Sequence, residues 1–484
     1  MVQFEKFFYC LFFLFITMYS HAQKAEDTNI SFKGLPLFSK DSASRICIKE
    51  IKVKGIKKTK IYIVFREMQF KPGDSLVTLQ LIKELEQARQ QIYNTSLFNE
   101  VKIDAEINTT ADINITVNVK ERWYVYPVPQ FQLVDRNFNE WYKTYKASLN
   151  RVNYGLKFVH YNFSGRRDQV RIFLVNGYAR NISFFYSNPY SNSLLNEGFS
   201  VGAGYSQNRE ISYKTDSGNN ILQYRKNDFI RNIAYASAGY VIREKLFKRH
   251  TFSLAYTHFK VDDSVISIKY NPNYFNTSNS SVGFIDLSYL FQYTRLNNNS
   301  YPLKGESGYI SLSKRIDKHF TGSVNMFSIE GGYNKYFDLG KKWYSSLQLI
   351  GKLKLPFNLA YINQRGLGYG ENYLRGLEYY VIDGVATAII KSTLKKKILY
   401  FAIPFPFKSK TITKIPFSFF AKTFADVGYA YNKKEYYSYL NNRLLYSGGF
   451  GIDILTLYDI NIRFEYSFNQ LKQNGLFLHN QSGF

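Results

Sequence analysis

Segments in which hydrophobic and polar residues alternate recur along the chain after Trp123. Three clear examples are residues 199–206 (FSVGAGYS), 346–355 (SLQLIGKLKL) and 460–469 (INIRFEYSFN). A period of two predicts β-strands with one apolar and one polar face. Because the polar faces carry Lys, Arg and Glu while the opposite faces are apolar, we expect lipid outside and water inside. A soluble β-sandwich is the alternative, but it would need a larger core than these short strands supply.

The strand-like segments continue to Phe484 and number about sixteen, which allows about 22 residues for each strand and its connection. An even-numbered antiparallel sheet that closes on itself leaves no unpaired edge in lipid. The fold class predicted is therefore mainly β, with a transmembrane β-barrel of about sixteen antiparallel strands over residues 123–484.

Residues 46–122 follow a different pattern and predict a small α+β module. A strand ending at Gly55 precedes a short helix over residues 57–68 and a turn, in which Asp74 or Ser75 is expected to cap the next helix. Two further strands complete the module. The residues of the second helix that recur at helical spacing, and are expected to face the core, are Leu79, Ile82, Leu85, Ala88 and Ile92.

The sheet of this module is expected to have an open edge. Such an edge can accept an extended peptide by strand addition. A purely structural spacer is the alternative interpretation of the module.

The N-terminus predicts export from the cytoplasm. Lys6 precedes an apolar run from Phe7 to Met18, and the Ser20-His21-Ala22 sequence favours cleavage before Gln23. We therefore expect a signal peptide over residues 1–22 and an N-terminal extension over residues 23–45. Cys47 is then the only cysteine of the exported chain, so neither an internal disulfide nor a cysteine-based metal site is expected.

The composition is aromatic and basic, with 42 Tyr, 42 Phe and a net charge of +26. A strongly basic chain can bind nucleic acid. Here the Lys and Arg residues are scattered through strand-like segments, so we expect no nucleic-acid partner. Anionic outer-membrane lipid and lipopolysaccharide beside the barrel rims are the expected counter-charges.

Catalytic motifs are scarce. The sequence has no Gly-x-Ser-x-Gly elbow, phosphate-binding loop or His-Glu-x-x-His helix. The six histidines show no ligand spacing. The sequence therefore predicts a protein that is not an enzyme and that has no metal and no cofactor.

Residues 368–384 (GYGENYLRGLEYYVIDG) interrupt the strand pattern with a loop built around Arg375. Alternation in the segment 424–428 puts Phe424, Asp426 and Gly428 on one strand face, and the opposite apolar face belongs to lipid. Asp426 is thus predicted to point into the barrel. The forked guanidinium of an arginine can donate two parallel hydrogen bonds to one carboxylate. Gly376 has no side chain, so the backbone there can approach a neighbour closely or take a positive φ. An exposed arginine in a surface loop is the alternative.

Several motifs together resemble the BamA/TamA superfamily of outer-membrane assembly factors and polypeptide transporters. They are YPLKGESGYI with Tyr301, Pro302 and Gly305, LRGL at 374–377, FADVG at 424–428, SNPY at 187–190, and a module similar to a POTRA domain at 46–122. The resemblance implies that a loop near residues 356–384 enters the lumen and that Arg375 meets Asp426. Leu377 departs from the aromatic residue usual there, and one POTRA module replaces the several usual in the principal assembly factor.

The resemblance also implies a function in the outer membrane of a Gram-negative bacterium. A periplasmic POTRA-like domain would receive unfolded outer-membrane or secreted polypeptide clients, which would insert through a lateral barrel seam. Accessory lipoproteins or periplasmic chaperones are candidate partners. A secretion pore that exports a dedicated polypeptide is the alternative within the superfamily, and a plain solute channel is the alternative outside it.

The first and last strands suggest where the barrel could open. Pro127 and Pro129 in the first strand both lack an N–H, and residues i and i+2 of a strand present their N–H groups to the same side. The last strand is short and ends at Phe484. The region around Phe131 and Leu478 is therefore predicted to form a weak seam. Alternatively, the prolines belong to a linker after the POTRA-like module.

Overall fold

The structure, a computed structural model, describes residues 29–34, 44–109, 112–133, 146, 148, 151–318, 322–370, 372–407, 409, 412–433 and 438–481. The predicted signal peptide and Phe484 lie outside the described residues. Within the described ranges, no helix is long and apolar enough to cross a membrane.

Two α-helices, 25 strands and three short 3-10 helices (Asp263–Ile266, Tyr361–Asn363 and Leu457–Asp459) are the regular elements of the described part of the chain. The α-helices are α1 (Ile61–Phe65) and α2 (Thr78–Asn94). The strands are β1 (Ile30–Gly34), β2 (Arg45–Lys54), β3 (Ser75–Val77), β4 (Phe98–Ile107), β5 (Asp112–Glu121), β6 (Val125–Leu133), β7 (Val152–His160), β8 (Gln169–Gly177), β9 (Ala179–Asn188), β10 (Glu197–Asn208), β11 (Glu210–Thr215), β12 (Ile221–Arg225), β13 (Arg231–Glu244), β14 (Lys248–Val261), β15 (Ser281–Leu296), β16 (Gly305–Asp317), β17 (Met326–Gly340), β18 (Trp343–Leu355), β19 (Arg365–Leu367), β20 (Ile382–Asp383), β21 (Ala386–Pro404), β22 (Lys414–Tyr431), β23 (Leu444–Leu455), β24 (Asn461–Asn469) and β25 (Asn474–Gln481).

The N-terminal module is a five-stranded sheet in the order β1-β4-β5-β2-β3, with α2 packed against it. Its apolar core contains Leu85, Ala88 and Ile92 of α2, as predicted, together with isoleucines and valines of β2, β4 and β5. The predicted α+β module is confirmed. The strand β1 comes from the predicted N-terminal extension and pairs in parallel with β4.

Two expectations about α2 are wrong. Leu79 and Ile82 are 72% and 58% exposed, and Leu81 is buried instead. Leu79 lies six residues before Leu85, about 240° around the helix axis, so the two cannot share a face. The predicted cap at Asp74 or Ser75 is also wrong, because residues 75–77 form β3 and the N-cap residue is Val77, which makes no side-chain cap.

The second sheet contains sixteen strands: β6–β10, β13–β18 and β21–β25. Each strand pairs in antiparallel fashion with the next member along the chain. The predicted sixteen-stranded antiparallel barrel is confirmed. The short hairpins β11–β12 and β19–β20 form separate two-stranded sheets within the connections.

Apolar residues of this sheet lie on the outside and charged residues on the inside, which is the reverse of the arrangement in a water-soluble protein. Phe199, Val201 and Leu349 are exposed on the outer surface, whereas Asp426 and Glu465 are buried inside. Charged side chains are almost never fully buried in soluble domains unless they are paired. An apolar exterior around a polar interior is the pattern of a barrel in lipid, and it rules out the soluble sandwich.

Alternating strand direction gives the barrel two distinct ends. The chain enters β6 from the N-terminal module, so one set of connections, including residues 161–168, 297–304 and 456–460, lies at the module end. The other set, including residues 209–230, 262–280 and 356–385, lies at the opposite end, which we call the loop end.

Buried ion pairs dock the module on the barrel. Glu67, which follows α1, accepts two hydrogen bonds of 2.6 and 2.7 Å from the guanidinium of Arg243 in β13 and one of 2.9 Å from the Tyr190 hydroxyl. Arg122 donates a 2.7 Å hydrogen bond to Asp459 at the module end. All four charged residues are buried. Removing one partner of such a pair leaves the other uncompensated, so the docking is specific.

We predict that Glu67→Gln and Arg243→Met each weaken module docking by about 3–5 kcal/mol, while the double variant loses much less than the sum. Trypsin sensitivity of the module, measured while the barrel stays folded, checks this. Burial alone would raise the pKa of Glu67, but Arg243 outweighs it and holds that pKa below its ordinary value. Docking should therefore be intact at neutral pH and weaken only below about pH 4.3.

Glu50→Gln is the matched control, because Glu50 forms an exposed ion pair with Lys52 in the same module. Exposed pairs contribute little, so its digestion pattern should match the unmodified protein. Strictly additive effects of Glu67→Gln and Arg243→Met would contradict the role of the pair.

Candidate functional site: the lumenal loop, the strand seam and the module edge

The connection between β18 and β21 folds back into the barrel. The tip of this lumenal loop, residues 372–378, is surrounded by inward-facing side chains of β21, β22, β24 and β25. Leu374 and Leu377 belong to an apolar cluster with Ile389, Ala430 and Leu445. Leu377 is fully packed although it replaces the aromatic residue of the superfamily motif. Residues 374–377 at the loop tip are thus buried.

Arg375 and Asp426 lie in direct contact inside the barrel. Arg375 Nε donates a 2.9 Å hydrogen bond to Asp426 Oδ2, the Arg375 Nη2 contacts the Asp426 Oδ1, and the Arg375 backbone N–H donates 3.0 Å to Oδ2. Arg375 Nη1 also donates to Thr393 Oγ1 at 3.0 Å. The guanidinium carbon lies 4.0 Å from the centre of the Phe424 ring. Arg375 therefore contacts a carboxylate and an aromatic ring on β22 and a hydroxyl group on the adjacent strand β21.

Glycines leave the space for this contact. Gly376 has φ = +85°, and a Cβ there would lie 2.9 Å from the Ser467 Cβ. A Cβ on Gly428 would lie 2.7 Å from the Leu374 Cδ1. Larger residues at either position would force the loop tip away from the wall, because real Cβ atoms do not approach so closely.

Tyr301 connects the module end to the lumen. Its hydroxyl donates a 2.7 Å hydrogen bond to Asp453 in β23, and its ring packs against Phe420 and Lys395. Gly305 has φ = +114°, which favours glycine, and a Cβ there would lie 2.2 Å from the carbonyl oxygen of Arg295. The structure therefore places Tyr301 in the lumen and Gly305 at the start of β16.

Four charged residues that sequence reasoning did not select surround this region; Lys422, Asp453 and Glu465 are buried and Lys395 is partly buried. Lys422 bridges Asp453 and Glu465, and Lys395 lies 3.3 Å from Asp453. We call Lys395, Lys422, Asp453 and Glu465 the lumenal charge network. All four lie at inward-facing strand positions, so strand parity could have indicated them, but their mutual contacts depend on strand register.

A polar cavity of about 460 Å³ remains beside the loop. Its lining includes Pro302, Arg375, Lys391 and Lys395. Part of the lumen is therefore open next to the loop tip.

The two end strands of the barrel sheet are not paired with each other. Among the described residues, β6 pairs only with β7 and β25 pairs only with β24. Pro127 and Pro129 lie within β6, opposite Phe158 and Leu156 of β7, so they belong to the barrel rather than to a linker. We call the unpaired edges of these two end strands of the barrel, β6 and β25, the seam.

The backbone nitrogens of Pro127 and Pro129 point towards the seam. The Tyr161 N–H donates to the Tyr124 carbonyl at 2.9 Å, which makes this pair a hydrogen-bonded one. Hydrogen-bonded and non-hydrogen-bonded pairs alternate along an antiparallel ladder. Residues 125, 127, 129 and 131 therefore direct their backbone nitrogens away from β7. The seam edge of β6 lacks two donors because Pro127 and Pro129 have no N–H.

Phe131 and Leu478 occupy the outer surfaces of the two seam strands. They are 62% and 65% exposed. Their apolar side chains therefore face lipid on either side of the seam.

The edges of the module sheet are not equivalent. Strand β1 covers β4, whereas β3 covers β2 only at residues 45–47. Within the described module, residues 50–54 of β2 pair only with β5. Within the described module, the C-terminal half of β2, beside the exposed Lys52, is thus an open edge, as is the outer side of the edge strand β1.

Comparison with known proteins identifies the module. Residues 46–122 match the family model "POTRA: Surface antigen variable number repeat", which confirms the POTRA domain over the predicted residues. No curated protein matches the chain.

Solved structures resemble most of the chain at low identity. BamA from Haemophilus ducreyi lacking POTRA domains 1–3 is 18% identical, covers 91% of this chain and 84% of its own, and gives a TM-score of 0.48. CdiB from Escherichia coli is 12% identical, with coverages of 90% and 75% and a TM-score of 0.49. CdiB from Acinetobacter baumannii is 12% identical, with coverages of 91% and 74% and a TM-score of 0.44.

We predict that Arg375→Ala and Asp426→Ala each destabilise the inserted loop by about 3–5 kcal/mol, because each leaves a buried charge unpaired. The double variant should lose much less than the sum. Arg375→Lys should restore little of the lost loop stability, since lysine cannot reproduce the forked contacts to Asp426 and Thr393. Hydrogen exchange of residues 372–378 in detergent-solubilised protein measures the loop directly.

Arg443→Ala supplies the control, because Arg443 is an exposed arginine at the loop end. It should leave exchange at the loop tip unchanged. Unaltered exchange in both Arg375→Ala and Asp426→Ala would show that the pair does not hold the loop.

Proposed function

We propose that this chain, a sixteen-stranded barrel with one POTRA domain of the BamA/TamA type, inserts unfolded polypeptides into the outer membrane of a Gram-negative bacterium. The POTRA domain would receive the client in the periplasm, and the seam would open sideways to template the client's strands. The observation that carries the proposal is that β6 and β25, the two end strands of the barrel sheet, each leave one edge unpaired among the described residues.

An unpaired strand edge in lipid is unfavourable, because no water satisfies its peptide groups. An incoming client strand would supply the missing partners by edge pairing. Strands β6 and β25 have 9 and 8 residues, whereas β21 and β22, the longest strands of the sheet, have 19 and 18. Each missing ladder bond forfeits about 0.5–1.5 kcal/mol of net stabilisation, so the seam is the weakest part of the ladder.

A secretion pore is the second candidate, and the 460 Å³ polar cavity beside Arg375 favours it. In that mechanism the lumenal loop would leave the barrel and a polypeptide would pass through the lumen. A plain solute channel is less well supported, because the buried loop tip and the lumenal charge network occupy much of the interior.

The open edge of β2 is the proposed receptor for clients. Its exposed backbone can extend the POTRA sheet by one strand, and the neighbouring lysines favour segments with acidic residues. Outer-membrane lipid and lipopolysaccharide are the proposed contacts of the outer wall, and accessory lipoproteins or periplasmic chaperones remain candidate partners. The proposal involves no catalytic step.

We predict that a disulfide across the seam abolishes client insertion. Cysteines at 130, 131 and 132 should be paired in turn with cysteines at 476, 477 and 478, in a Cys47→Ser background, because bridgeable Cα atoms must lie within about 7 Å. Oxidised protein in liposomes should fail to insert an unfolded outer-membrane barrel, and reduction should restore insertion.

A disulfide between positions 452 and 464 is the matched control. These residues are direct partners in the β23–β24 ladder and both face outwards. This cross-link should leave insertion intact. Normal insertion by a fully oxidised seam would refute lateral opening, and export of a secreted client through that same locked barrel would favour the secretion pore.

We predict that a photocrosslinking residue at Lys52 captures a client in transit, because a strand added to β2 would lie about 4.8 Å away. The same group at Lys102 should capture little, since Lys102 lies on β4, which is covered on both edges. Cross-linked client is measured by gel mobility. Equal capture at the two positions would argue against edge pairing at β2.

A further inference from the structure

Three side chains that are distant in sequence converge beside the seam. Glu378 lies at the lumenal loop tip, Glu465 in β24 and His479 in β25. The His479 Nε2 lies 3.5 Å from the Glu378 Oε1 and 3.3 Å from the Glu465 Oε2. One ligand atom from each residue can be chosen so that all three lie within 4.8 Å of one another.

These atoms are buried and lack hydrogen-bond partners. This holds for both carboxylate oxygens of Glu378, for the Glu465 Oε2 and for the His479 Nε2. The Glu465 side chain is only 1% exposed, and its other oxygen, Oε1, accepts from Lys422 at 2.5 Å. Two carboxylates directed at one imidazole nitrogen in a buried space are unfavourable without a positive charge among them, and a bound metal ion would supply one.

We propose that Glu378, Glu465 and His479 form a divalent metal site of the zinc type. Zinc binds imidazole nitrogen and carboxylate oxygen at about 2.0–2.2 Å with tetrahedral geometry, which places adjacent ligand atoms about 3.4 Å apart. The distances of 3.5 and 3.3 Å match two edges of such a tetrahedron. The imidazole favours zinc over calcium or magnesium, which prefer all-oxygen sites.

The sequence separations explain why no ligand motif indicated this site. Each ligand comes from a different element, and only the inserted loop brings Glu378 next to the seam strand. The metal would join the loop tip to β24 and β25. Two aromatic contacts follow the same path: Tyr373 stacks on His479, and Tyr379 packs against Phe477.

Lys422 already pairs with Glu465, and Arg375 and Arg463 act electrostatically on it. The positive charges of these three side chains would repel a bound metal ion. We therefore expect binding that is weaker than in a closed structural zinc site but still specific. Binding does not rest on the function proposed above, because it requires neither a client nor a membrane activity.

The test uses tag-free, full-length protein in detergent, stripped with chelator and then titrated with Zn²⁺ alone. We expect one zinc per chain by elemental analysis, and slower hydrogen exchange in β25 and in residues 372–378 when zinc is bound. Glu378→Gln and His479→Asn should each weaken zinc binding by at least about 100-fold. Removing a residue that only supports a metal ligand costs less, about 10- to 100-fold. Heat-dependent gel mobility verifies that each variant barrel is folded.

His258→Ala is the matched control, because His258 is an exposed histidine whose Nε2 lies 3.2 Å from the Ser281 hydroxyl oxygen. It should bind zinc like the unmodified protein. A His479→Cys variant in the Cys47→Ser background should bind Co²⁺ with a thiolate charge-transfer band, which appears only when residue 479 is a ligand. Failure of the unmodified protein to bind zinc, or equal binding by His479→Asn, would overturn the proposal.

Discussion

A strand that crosses a lipid bilayer must pair its peptide groups, and this constraint organises the whole barrel. Fourteen of the sixteen barrel strands have a partner on each side. Strands β6 and β25 have one partner each among the described residues, so the unmet requirement is concentrated in a single line along the wall. The two prolines of β6 point their missing donors into that line and so keep it from closing as a normal ladder.

The barrel interior must satisfy a second requirement, because it holds charges that are removed from solvent. Arg375 is matched by Asp426, and Lys422 by Asp453 and Glu465. Buried charges are tolerated when they are paired and hydrogen-bonded. The pairing therefore does more than neutralise charge: it determines where the lumenal loop sits and which wall strands it touches.

Contacts run without interruption from the POTRA domain to the seam. Asp459 receives hydrogen bonds from Arg122 and Tyr93 of the module and from Asn298 in the same connection as Tyr301. Tyr301 contacts Asp453, and the network continues through Lys422 and Glu465 to the β25 strand. This chain of contacts would give the proposed client binding at the module a physical route to the seam.

Local periodicity was enough to predict several features of this chain. Alternation with period two predicted the barrel and the inward direction of Asp426, because side-chain parity along a strand is a local property. Motif order added the POTRA domain, which the family match confirms over the same residues. Helical spacing in α2 was less reliable, since Leu79 and Ile82 are apolar but lie away from the sheet.

The sequence by itself thus determined the strand pattern, the two-part organisation and the set of residues that face the lumen. Only the tertiary structure decided which of those residues meet, because contacts between strands depend on register and on how deeply the loop enters. It showed that the missing donors of Pro127 and Pro129 face the seam and that β1 covers one edge of the module. It also brought Glu378, Glu465 and His479 together, since a ligand set drawn from three separate elements has no spacing that a linear sequence can reveal.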